Sequence, residues 1–143
     1  MYESLTKYLD EFTGTEFGRW IFDDKNDGTP DHPLQFPFVN YSSVIMHFIE
    51  DVHSFVDNHE EMGLYSYIKI LEDNGIEIGR ESMAKVEVDD LDARCIIAMI
   101  FSIIRAERFS EGILLTFLKN GSIIRWLKRL KALDADDKNA VRK

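Results

Sequence analysis

Arg94, Arg105 and Arg108 flank the most apolar stretch of the chain, Asp90 to Gly112, which reads DLDARCIIAMIFSIIRAERFSEG. At roughly 100° per residue on a helix they fall within about 60° of one another on one stripe, and Glu107 points away from it. Guanidinium groups so placed have two chemistries open to them. Paired with carboxylates, of which Asp90 is the nearest to Arg94, they form an ionic clamp that joins this helix to its neighbours. Left open in a cleft, Arg105 and Arg108 can hold an anion or a phosphate group, with Glu107 and Glu111 in the same segment. In an acidic chain with many carboxylates the clamp is the expected arrangement, and Glu107 then needs a donor of its own. Breaking a buried pair costs about 3 to 5 kcal/mol, so Arg108→Ala is expected to lower thermal stability substantially.

A second constellation lies between residues 20 and 41. Asp31, His32 and Gln35 sit in a loop stiffened by Pro30, Pro33 and Pro37, with Trp20 and Tyr41 close in sequence. Loops pinned by proline are suited to holding recognition groups. A His beside an Asp is more commonly a local hydrogen-bond pair than a catalyst, and no nucleophile is near in sequence, so no catalytic residue is assigned. His47, Glu50, Asp51, His53, Asp57 and His59 suggest a metal, because Glu50-x-x-His53 has the spacing of di-iron bundles. Such a centre needs a second copy of the motif, and the sequence has none. His47, Glu50 and Asp57 also fall opposite the apolar stripe of their helix, toward water. No metal and no cofactor is expected; a Gly-rich phosphate loop, CxxC and HExxH are all missing from the sequence.

The elements that must position these residues read as helices. From Cys95 to Ile104 only Ser102 is polar, so that helix must be buried on every side, and ten residues fall short of the roughly 20 that span a bilayer. The fold expected is an all-α, single-domain bundle of about six helices around a central buried helix at 91–108. Asp89 or Asp90 is its expected N-cap. Tyr2 to Phe12 reads as a short amphipathic helix and Glu16 to Phe22 as a second helical fragment, with Phe17, Trp20 and Ile21 on one face. Residues 23–37 form a loop. Val39 to Asn58 follows as the clearest amphipathic helix, with Val44, Ile45, Phe48, Ile49, Val52, Phe55 and Val56 inward. Glu61 to Asp73 places Leu64, Tyr67, Ile68 and Leu71 inward and stops at Asn74-Gly75. Residues 76–88 alternate weakly and allow a short hairpin or an irregular loop. After a break at Gly112 come a short helix closed by Asn120-Gly121 and a last helix capped by Ser122, with Ile123, Trp126, Leu127 and Leu130 inward and Arg125, Lys128, Arg129 and Lys131 outward. The globular domain is expected over 1–135, with 136–143 a polar, disordered tail.

With 143 residues, 45% hydrophobic and 30% charged, the chain has the composition of one soluble domain. The lone Cys95 forms no intrachain disulfide, and no secretory pattern opens the chain, so a cytoplasmic location is expected. The net charge of −9 divides unevenly, −14 through Leu118 and +5 from Lys119 onward. The acidic body argues against binding nucleic acid along its phosphates.

Arg105-Ala106-Glu107-Arg108-Phe109-Ser110-Glu111-Gly112, followed by an apolar segment, Asn120-Gly121 and Arg129-Leu130, resembles a bacterial family of small domains of unknown function whose pattern reads Arg-Gly-Glu-Arg-Phe-Cys-Asp-Gly. The chain departs from it at Ala106, Ser110 and Glu111. The likeness covers the C-terminal third, with fainter echoes at Trp20 and over Pro37 to Tyr41. It implies a bacterial or phage-related cytosolic protein and brings no activity and no catalytic residue. The leading expectation is therefore an interaction module, more a binder than an enzyme, which meets a protein partner through its acidic helices or its aromatic loop; a homodimer is compatible with this. The alternative is an enzyme or small-anion binder using Arg105, Arg108 and Glu107, and a further one is an acidic nucleic-acid mimic. Arginine tips open to solvent with no carboxylate opposite would favour the anion binder, and closed pairs would favour the module.

Overall fold

The computed structural model describes residues 1–22, 28–31 and 36–142, with side chains described through 136. The fold is mostly helical with one two-stranded sheet. Two single-turn helices, α1 (Glu3–Thr6) and α2 (Tyr8–Glu11), lead into strand β1 (Gly18–Ile21), which pairs antiparallel with β2 (Phe38–Tyr41). Helix α3 (Ser43–Asn58) and two 3-10 turns, Glu60–Met62 and Leu64–Ser66, follow. Then come α4 (Tyr67–Asp73), α5 (Arg80–Ala84), α6 (Ala93–Ala106), α7 (Ile113–Lys119) and α8 (Ser122–Arg142).

α6 is the centre. Every residue from Cys95 to Ile104 is buried, and α3, α4, α7 and α8 pack around it. Its one polar member, Ser102, donates its hydroxyl hydrogen bond to the Met99 carbonyl at 2.7 Å and so needs no partner from another element. The N-cap is Asp92, not Asp89 or Asp90: its carboxylate accepts from the Cys95 N–H at 2.8 Å. Burial and the Asp92 charge push the Cys95 thiol up to about 11, so it stays protonated at neutral pH as a small apolar filler.

α3 buries the stripe expected of it through Ile45, Phe48, Val52, Phe55 and Val56, and leaves His47, Glu50 and Asp57 exposed. Asp51 instead accepts a 2.5 Å hydrogen bond from the Tyr8 hydroxyl and meets Lys7 at 3.3 Å, which ties α2 to α3. α7 and α8 meet at Asn120-Gly121, as the sequence suggests, with Gly121 left-handed at φ 84°. Arg125 and Arg129 of α8 turn back onto the body and donate to the Ala84 and Leu91 carbonyls, instead of facing out with Lys128 and Lys131.

Three further readings from sequence are corrected. Residues 18–21 are a strand and not part of a helix, because Gly18 to Ile21 pair with Tyr41 to Phe38 residue for residue. The helix expected from Val39 therefore begins at Ser43, since 38–41 are taken up by the sheet. The hairpin of the fold lies here and not at 76–88, where α5 forms and buries Met83. Among the described residues no helix is long and apolar enough to cross a membrane.

Candidate functional site

The turn from α6 to α7 carries most of the residues singled out from sequence, and it divides them between two jobs. One is to anchor the hairpin. The half-buried Glu107 carboxylate accepts from the backbone N–H of Gly112 at 2.6 Å and of Leu114 at 3.1 Å, and takes a very short hydrogen bond from the Tyr41 hydroxyl. That hydroxyl in turn accepts from the Leu115 N–H at 3.1 Å. Glu107 and Tyr41 thus satisfy the N–H groups that the first turn of α7 cannot bond internally. Burial, then the hydrogen bond to Glu107, pushes the Tyr41 phenol well above the ordinary tyrosine range. Glu111 accepts from the Val39 N–H at 3.1 Å, which fixes β2 from the other side. Trp20 of β1 lies directly over Gly112, whose φ of 89° and missing Cβ admit the indole.

The other job is to wall a cleft. A cavity of about 230 Å³ opens between α4, α5, α6 and this turn. Tyr67, Ile68, Ile78, Met83, Ile103 and Ile113 give it apolar sides, with Phe109, Arg80 and Arg105 also on its lining. Ile68, predicted inward, is half exposed because it forms this wall, and Phe109 is 91% exposed. Arg105 lies 5.8 Å from the centre of the Phe101 ring, which Tyr65 and Tyr67 meet edge-on. Arg80 donates to the Ser110 hydroxyl at 3.0 Å.

The ionic clamp does not form. Among the described residues no ion pair involves Arg80, Arg94, Arg105 or Arg108; the pairs join Met1 to Glu3 and Asp134, Lys7 to Asp51 and Lys69 to Asp73. Arg94 is exposed and donates to the Met62 carbonyl at 2.6 Å, while Asp90 faces water. Arg108 is exposed and lies outside the cleft lining. The physical reason is that α6 stops at Ala106, so the arginine-rich end leaves the core and finds solvent without needing a carboxylate.

The structure therefore brings Trp20, Tyr41, Glu107 and Glu111 together, but as a hairpin anchor. Arg105 stands apart from them on the cleft. Asp31 is exposed in a turn and belongs to neither, and His32 lies outside the described residues. Arg80, Tyr67, Ile78 and Phe109 were not legible as site residues, because a cleft wall built from three segments leaves no spacing in the sequence. Among the described residues no group of three or more His, Cys, Asp or Glu is placed to hold a metal ion.

Residues 2–136 match the family described as "Family of unknown function (DUF6508)", and the chain belongs to that family. The match shows a family of unknown function over most of the chain and does not bear on the Arg-x-Glu-Arg-Phe pattern at 105–112. No curated protein and no solved structure matches.

Proposed function

We propose that this DUF6508 chain binds a small molecule with an apolar body and an anionic head group in the cleft between α4, α5 and α6. The observation that carries it is that two arginines, Arg80 and Arg105, line a mostly apolar cleft, with no carboxylate paired to either among the described residues. Concave, mostly apolar sites with a few convergent polar groups are where small ligands bind, and a guanidinium fork matches an oxyanion edge. Among the described residues the lining holds no carboxylate, imidazole or thiol, and its one serine hydroxyl is bonded to the Met99 carbonyl, so the cleft offers an anion a seat with the Tyr67 phenol as its one other hydroxyl. Binding without chemistry is the reading.

The test is an amide-resolved NMR titration of the full chain with benzoate, hexanoate and phenyl phosphate. Shifts confined to the amides around Tyr67, Ile78 to Met83 and Ser102 to Phe109, needing higher ligand concentration in Arg105→Gln and unchanged in Arg108→Gln, are expected. Shifts elsewhere, or none, would reject it. A second reading, an interaction surface for a protein, is supported by Phe22, Phe36 and Phe38 on and beside the hairpin, exposed by 64%, 80% and 40%. Under the first reading Phe36→Ser with Phe38→Ser leaves the titration unchanged.

A further inference from the structure

Resting on that cleft, we infer that the ligand class is a monoanionic carboxylate carried on a single ring or a short branched chain, in preference to a phosphate ester. Size sets the body. A cleft of about 230 Å³, open to solvent on one side, has room for one ring or a few branched carbons. The shape of the walls agrees, since Ile68, Ile78, Met83, Ile103 and Ile113 offer aliphatic surface, and Tyr67 and Phe109 offer ring faces.

Charge sets the head group. Arg80 already gives one N–H to Ser110, so the two arginines do not present all their donors to a guest. The chain through Leu118 carries −14, which adds a field against anions that grows with the guest's charge. Moving an ion out of water costs more as its charge rises, and these walls are mostly apolar. A carboxylate has one charge to neutralise, and its two oxygens fit one guanidinium edge with the second arginine left to flank it. A phosphate monoester carries about −1.5 to −2 at neutral pH and is penalised by each of these effects.

The experiment is calorimetric titration of the full chain at pH 8 with benzoate, benzamide and phenyl phosphate, and with 3-methylbutanoate and its amide. The carboxylates are expected to bind about 10-fold or more tighter than their amides, the loss of a charge-assisted hydrogen bond, and tighter than phenyl phosphate. Arg105→Gln and Arg80→Gln should each remove most of that preference while amide binding persists. Tighter binding of phenyl phosphate at the cleft would overturn the carboxylate assignment and leave the cleft reading standing, whereas equal binding of acid and amide would overturn the anionic head group in both. Binding of none of the five would overturn both.

Discussion

Gly112 concentrates the demands of the hairpin anchor in one residue. Its φ of 89° is one that other residues adopt at a cost, and a Cβ there would run into the indole of Trp20. Gly121 shares the left-handed backbone at φ 84° but has nothing within 4 Å of its Cβ position. Gly121→Ala should therefore cost only the backbone strain, about 1 to 2 kcal/mol, and Gly112→Ala that amount plus roughly 1 to 3 kcal/mol for displacing the ring. Urea midpoints of the two variants measure the difference; equal losses would show that Trp20 yields freely. What the sequence revealed at this scale was the need and not the partner. A carboxylate in an apolar segment must find donors, and Glu107 does, but they come from Tyr41, 66 residues away, and from the N–H groups of α7. The arginines were misread for the complementary reason: whether a guanidinium is paired or solvated depends on where the helix ends in space, which Arg105 and Arg108 do not disclose in their spacing.

At the scale of elements, long periodic segments were legible and short ones were not. α3 repeats its apolar spacing over enough turns for one period to win, and α6 is an apolar run too long for an ordinary strand. Phe17, Trp20 and Ile21 fit i, i+3, i+4 by accident of a short window, whereas Trp20 and Val39 face the turn beneath the sheet at period two. The hairpin is held to the helices through Tyr41, and this gives it a pH signature. The fold holds the phenolic proton more tightly than the unfolded chain does, so this contribution is complete below about pH 10 and fades as the pH rises above it, by up to about 1.4 kcal/mol per pH unit. Tyr8, raised chiefly by burial and then by its hydrogen bond to Asp51, adds a second such group. Tyr41→Phe should flatten part of the alkaline decline in urea midpoints between about pH 9 and 11 and leave the share that belongs to Tyr8. An unaltered pH profile would mean that the Tyr41–Glu107 bond does not persist in solution.

For the whole molecule, the question is how much of α8 the fold needs. Trp126, Leu127 and Leu130 are fully buried against the body, and the helix's last described contact is made by Asp134, 5% exposed, whose carboxylate accepts from the Tyr2 N–H at 3.1 Å. That bond closes the two ends of the domain on each other. The positive balance of the C-terminal part sits mostly at 119–131, so a chain ending after Ala135 keeps both the contact and most of the charge that complements the acidic body. Such a chain should retain its helical circular dichroism and unfold in one transition within a few degrees of the full length, since the last few residues of a domain commonly contribute little. Asp134→Ala should do what the truncation does not: it removes the carboxylate that the Tyr2 N–H and the Met1 ammonium both donate to, and costs about 1 to 3 kcal/mol. If the shortened chain lost its helical signal instead, residues beyond 135 would have to pack on the domain, and its boundary would move from Ala135 toward the end of α8.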